Sequence, residues 1–289
     1  MSVLTEGLER LNLRYTTYLL RRNPMFVLGL LIIFGLVLCA VLAPLIVPGD
    51  PNKIDFKAKH FPPGKDHPFG TNVRGQDIFG QVIYGTRMSL MISTVVVIIS
   101  LVIGMPTGLI AGYFGGRVDE VIMRATDAFL AFPPMLLPIA IAAALERNLL
   151  NGLIAIAVSW FPWYTRILRA SVLVTKEELY VESARSMGVR DALIILRHVL
   201  PNSISPLLIQ TSMDMGYAIL FAAALSFIGL GAKPTDMEWG RMITSARAEF
   251  IDFWWTATFP GLAIFVTVLG FNLIGDGLRD ILDPRVRGR

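Results

Sequence analysis

Residues 178–202 read ELYVESARSMGVRDALIILRHVLPN. The stretch is charged and amphipathic, yet strongly apolar runs lie on both sides of it. Lys176 to Met187 has helical patterning, with Leu179, Tyr180 and Ala184 grouped and Lys176, Glu177, Glu178, Glu182 and Arg185 on the other positions. Gly188 permits a left-handed backbone, which predicts the end of that helix. Asp191 to Leu200 predicts a second helix with Ala192, Ile195, Leu196 and Val199 on one stripe. Pro201 predicts its stop. The pattern is helix, glycine elbow, helix, proline stop. A structured unit between apolar runs, where a short polar turn would suffice, predicts a surface on which a soluble partner docks and pushes. A plain connector without a partner fits the same residues.

Composition sets the class. Of 289 residues, 54% are hydrophobic and 17% charged, with a mean hydropathy of +0.60. A soluble domain carries about 25% charged residues, so the expectation is an all-α, polytopic transmembrane bundle. The net charge of +4 calls for no nucleic acid, because membrane proteins collect Lys and Arg in cytoplasmic loops. Cys39, the single cysteine, lies in an apolar run and reads as a small hydrophobe.

Six spans are predicted: Met25–Val47, then about 89–111, 128–144, 150–168, 207–230 and 257–273. Each approximates the 20 or so helical residues that cross the hydrocarbon core. Arg21 and Arg22 before the first span also suit a signal peptide, but its apolar run is longer than a signal core. The third span is interrupted by Pro133, Pro134 and Pro138. The Lys and Arg distribution favours both termini inside, although Lys53, Lys57, Lys59, Lys65, Arg74 and Arg87 crowd the first outer segment. That segment, 48–87, is rich in turn signals, and 75–90 predicts a short interfacial helix bearing Ile78, Ile83 and Tyr84. His60 and His67 lack companions at metal-ligand spacing, so no metal is expected.

Asp214 falls inside the fifth span, and an intramembrane carboxylate is costly enough to mark function. Gln210 and Tyr217 are its helical neighbours, which predicts a polar stripe on a translocation pathway. A hydrogen-bonded contact between helices fits equally. Arg124, Asp127, Arg166 and Arg169 are expected to anchor helix ends by snorkelling, and Trp239, Trp254 and Trp255 to join an interfacial belt. No G-x-x-x-x-G-K-[ST] phosphate loop is present, and no nucleophile–base set is apparent, so an enzyme is not expected. A self-contained secondary transporter or channel remains the alternative; such proteins carry inverted repeats and coupling-ion sites.

Glu182-Ser183-Ala184, three residues, Gly188, and then Leu200-Pro201 resemble the EAA loop of ABC importer permeases, with Ser183 in place of an alanine and His198 in place of an isoleucine. Further stretches resemble the "C"-type permease subunit of the dipeptide/oligopeptide (peptide, nickel, glutathione) family. They are His67-Pro68-Phe69-Gly70-Thr71 with Arg74-Gly75-Gln76-Asp77, Ala111 to Gly116, Leu225 to Gly231, Glu238-Trp239-Gly240, Phe259-Pro260-Gly261, Asn272 to Asp280, and Asp283-Pro284-Arg285. Gln76 stands where an arginine is more usual, and residues 1–24 show no match. The resemblance implies the type I ABC importer permease fold, six spans and both termini in the cytoplasm of a prokaryotic cell, in its inner membrane. It implies four partners besides the lipid bilayer: a homologous second permease subunit, two ATP-binding subunits holding ATP and Mg²⁺, and an extracytoplasmic substrate-binding protein. On this chain Glu182, Ser183, Ala184, Gly188, Leu200 and Pro201 would couple to the ATPase. The implied division is an N-terminal cytoplasmic segment (1–24), a first span (25–47), an extracytoplasmic segment (48–87), a five-helix core (88–278) with coupling loop 172–204, and a cytoplasmic tail (279–289).

Overall fold

The computed structural model describes residues 23–146, 148–233 and 235–282. Arg147, Pro234, the N-terminal segment up to Arg22, and Asp283 to Arg289 lie outside the described residues, as do the expectations placed on them. The described secondary structure is helical apart from one isolated bridge, Thr71 with Asp77. Helix α1 (Pro24–Ile46) is followed by an irregular segment, 47–77, and then by α2 (Ile78–Phe114), α3 (Gly116–Leu130), α4 (Leu136–Ala144) and α5 (Leu149–Thr175). Next come α6 (Leu179–Ser186) and α7 (Asp191–Ile194), which runs through a π-helical stretch, Ile195–Val199, into α8 (Leu200–Ser203). The chain closes with α9 (Ser205–Phe227), α10 (Trp239–Ala246) and α11 (Trp255–Leu282).

Among the described residues four helices, α1, α2, α9 and α11, are long and apolar enough to cross a membrane. Helix α5 is long enough, but Arg166 and Arg169 lie in its second half. The expected third span is broken. Pro133 and Pro134 stand in the Ala131–Met135 interruption between α3 and α4, where a proline can neither donate a helical bond nor clear the preceding carbonyl. The nine residues of α4 measure about 14 Å, half of a hydrocarbon core.

The separate interfacial helix expected over 75–90 does not form. Ile78 to Leu90 is instead the opening of α2, whose 37 residues extend about 55 Å. Asp77 caps it by accepting the Gly80 N–H at 2.8 Å. Glycine in the first turns serves close approach: a Cβ on Gly85 would sit 3.0 Å from the Trp239 indole. Helix α2 therefore begins at Ile78, inside the segment expected to run to Arg87.

Helices α2 and α5 form the spine. Gly104, Gly108 and Gly112 share one face of α2, and a Cβ on any of them would come within 3.1 Å of α5 atoms. Lipid offers no hydrophobic drive between helices, so small residues that let backbones touch carry the association. Cross-helix hydrogen bonds add to it: Ser100 Oγ donates to the Ala157 carbonyl at 3.1 Å, and the Thr107 and Thr165 hydroxyls meet at 2.7 Å. Helix α1 packs on α11, while Leu31, Phe34, Val41 and Leu45 face outward.

Two expectations about charged and aromatic side chains fail. Arg166 pairs with Asp127 at 2.5 Å, and Arg169 grips both Asp119 oxygens at 2.5 and 2.6 Å. These arginines tie α3 to α5 instead of snorkelling. Trp239 and Trp255 are buried and donate indole N–H groups to the carbonyls of Val82 and Thr71. Only Trp254 of the three is exposed.

Candidate functional site

The bent unit, Leu179 to Ser203, covers the end of α2 and α5 where Tyr113 and Val172 lie. Gly188 has φ +79°. The Val189 N–H donates to Ala184 O at 3.2 Å and the Gly188 N–H to Arg185 O at 3.0 Å. This is the paired bond pattern of a Schellman motif, which satisfies the last carbonyls of α6 and turns the chain. The elbow is therefore built by the backbone around a residue that tolerates a left-handed conformation.

Which side chains anchor the unit differs from the periodicity estimate. Val181 and Ala184 are the buried residues of α6, and Leu179 is 78% exposed. The helix starts at Leu179; Lys176 to Glu178 form the link from α5. In the second limb Ile194 and Val199 are fully buried and Ile195 packs against the same cluster, whereas Ala192 and Leu196 are exposed. The π-helical stretch explains the shift. The Leu200 N–H reaches back to Ile195 O, an i→i−5 step that turns the face round relative to a 3.6-residue helix.

Pro201 does not stop the chain. It sits near the start of α8, where a missing N–H is tolerated, and the looser turn before it makes room for its ring. Asn202 Nδ2 donates to His198 O at 2.6 Å, satisfying one carbonyl there. The helical path runs to Ser203, whose hydroxyl donates to Thr175 Oγ1 at 2.9 Å.

The six expected coupling residues divide by side. Ala184 and Leu200 face the bundle. Glu182, Ser183, Gly188 and Pro201 face out, and the Ser183 hydroxyl is used on Leu179 O at 2.8 Å. Around them Leu179, Met187, Leu193 and Leu196 present large apolar side chains to the exterior. A residue missed from sequence, Tyr113, ties the unit to α2: its hydroxyl donates to Asp191 Oδ1 at 2.6 Å, and Arg185 lies over its ring at 5.6 Å. Its place at the end of an apolar run gave no signal of a partner 78 positions away.

The stripe on α9 is only partly assembled. Gln210 Nε2 donates to Asp214 Oδ1 at 2.9 Å. Tyr217 does not join them; its side chain is 46% exposed. The third member is Tyr164 of α5, fully buried, whose hydroxyl neighbours Asp214. Sequence spacing could pair residues along α9 but had no means of reaching across to α5.

Comparison with known proteins places this architecture. Residues 104–288 match the family model described as binding-protein-dependent transport system inner membrane component. Residues 13–63 match the N-terminal TM domain of oligopeptide transport permease C, so similarity reaches into the first 24 residues, where motifs gave none. The chain is 41% identical to the probable D,D-dipeptide transport system permease protein DdpC of Escherichia coli, over 97% of this chain and 94% of that one. It is 42% identical to the dipeptide transport system permease protein DppC of Alkalihalophilus pseudofirmus (93% and 88%) and 42% identical to the glutathione transport system permease protein GsiD of Pectobacterium atrosepticum (93% and 89%). Among solved structures, an inward-facing form of the MetNI methionine ABC transporter superposes with a TM-score of 0.58 at 16% identity, covering 71% of this chain and 98% of that one. An amino acid ABC transporter gives 0.54 at 18% (68% and 92%). These two establish the type I importer permease fold. The chain belongs to the family of binding-protein-dependent transport system inner membrane components and is a permease subunit of an ABC importer.

Proposed function

We propose that this chain forms half of the translocation pathway of an ATP-driven importer for peptides or related small solutes, with the bent unit as its mechanical joint. The observation that carries the joint is its two-sidedness. One side is locked into the bundle by Val181, Ala184, Ile194 and Val199; the other holds Leu179 and Met187 bare beside Glu182 and Gly188. A soluble ATPase that grips the outer side would move the spine through the inner one. Coupling is assigned to Glu182, Ser183, Gly188 and Pro201 at the surface and to Ala184 and Leu200 beneath.

A homologous permease chain would complete the pathway. Two ATP-binding subunits would hold ATP and Mg²⁺ and do all the hydrolysis. An extracytoplasmic binding protein would deliver solute. The polypeptide would cross the inner membrane six times with both termini cytoplasmic: residues 150–168 of α5 as the fourth crossing, and residues 128–144, with their proline break, as the third. Gln210 and Asp214, with Tyr164 behind them, would line the path, and exposed Tyr217 would meet the second permease. The names of the relatives at 41–43% identity support peptides as the solute class.

The test is uptake by the reconstituted complex across a panel of dipeptides, glutathione and amino acids. ATP-dependent uptake of at least one peptide is expected. Uptake of none, by a complex that hydrolyses ATP, would reject the solute class.

A further inference from the structure

At the opposite end of α2 from the bent unit, the outer segment folds over α10 and leaves a cavity of about 270 Å³. One wall is an interlocked set of side-chain amides. Gln76 Nε2 donates to Asn52 O at 2.9 Å; Asn72 Nδ2 donates to Gln76 Oε1 at 3.0 Å and to Gln81 Oε1 at 3.3 Å. Gln76 and Gln81 are both buried. Burying amides is tolerable because they satisfy one another, and each carbonyl oxygen keeps a further lone pair.

The same cavity is lined by charges of both signs: Arg74 and Arg241, Asp236 and Glu249. These four do not neutralise one another. Among the described residues neither guanidinium has an ion-pair partner. Glu249 is engaged by His60, and Asp236 accepts only the Lys233 N–H at 2.8 Å. Two guanidiniums and the Asp236 carboxylate without ion-pair partners, around a wall of amides, are complementary to a ligand that carries both charges and an amide between them.

We propose that this cavity binds a short zwitterionic peptide, with its carboxylate at Arg74 and Arg241, its ammonium at Asp236, and its peptide bond against Gln76 and Gln81. The site would hold solute at the outer mouth before it enters the bundle. It rests on the assignment of peptides as the solute class. The volume, just below the range typical of drug-sized pockets, limits the ligand to two or three residues.

Equilibrium dialysis of labelled Ala-Ala against the purified, detergent-solubilised complex tests this. Saturable binding is expected, weakened about tenfold or more by N-acetylation or C-amidation of the probe, and equally by Arg241→Gln, as loss of a charge-assisted hydrogen bond requires. Absence of saturable binding, equal affinity for the blocked and free peptides, or unchanged binding by both Arg74→Gln and Arg241→Gln overturns the site. Should Arg241→Gln fail to fold, Arg74→Gln on the exposed outer loop decides. Peptide uptake that is unaffected by either change would leave the import assignment standing and remove this cavity alone. Binding that depends on both arginines, in a complex that imports no peptide, would do the reverse.

Discussion

Tyr113, in the last turn of α2, donates its hydroxyl to Asp191, the first residue of α7, at 2.6 Å. One hydrogen bond thus joins the longest helix of the spine to the second limb of the bent unit. A hydrogen bond to a charged acceptor contributes about 1.5–3 kcal/mol, which adds to the hold that buried Ile194 and Val199 give this limb.

Tyr113→Phe should therefore loosen the unit without unfolding the bundle. Amide exchange over residues 189–200 is expected to quicken by about tenfold, with the α2–α5 spine unchanged. Uptake per ATP hydrolysed should fall. Unaltered exchange in that segment would show that Tyr113 does not hold it.

The elbow makes a sharper prediction. A Cβ on Gly188 meets nothing within 4 Å, so any cost of Gly188→Ala lies in the backbone at φ +79°. That cost is about 1–2 kcal/mol, and Gly188→Asn should cost less, since asparagine tolerates the left-handed region. Coupled uptake should rank Gly above Asn above Ala. Equal uptake by all three would mean that the elbow is not strained by a side chain.

At Gly240 the opposite logic applies. There a Cβ would fall 2.3 Å from Ala223 Cα and 2.4 Å from its Cβ. Backbone must move, so Gly240→Ala is expected to lower thermal stability by about 1–3 kcal/mol through displacement of α10 from α9. Melting of the purified complex measures it, and an unchanged midpoint would contradict the contact.

Acid sensitivity follows from Asp119. The bidentate Arg169 guanidinium holds its carboxyl below the usual carboxylate range. A depressed native pKa contributes stability above the unfolded value, about 3.9, and that contribution is lost as pH falls through the native value. Asp119→Asn should be less stable than wild type at neutral pH. The gap should narrow in strong acid, as followed by melting temperature against pH. A gap independent of pH would remove the ion pair from the account.

Much of this was legible in the sequence, and what escaped has physical causes. Gly188 could be placed as an elbow because a left-handed position has few tenants. The broken third span was visible in Pro133 and Pro134. Periodicity failed at Ile194 because a π-helical turn changes the register that a 3.6-residue count assumes. It failed at Arg166 and Arg169 because snorkelling and ion pairing use the same residues, and the choice depends on Asp119 and Asp127 arriving from α3. Tyr164 beside Asp214, and the cavity under the outer segment, exist only through contacts between distant parts of the chain.

The central claim is that the outer face of Leu179 to Ser203 transmits motion from separate ATPase subunits. The most direct measurement is dipeptide uptake, with ATP hydrolysis followed in parallel, by a reconstituted complex carrying Glu182→Lys. The account predicts an intact bundle in which uptake is lost, because the substitution reverses charge on the exposed docking face without touching the anchored one. Uptake at the wild-type rate would contradict it.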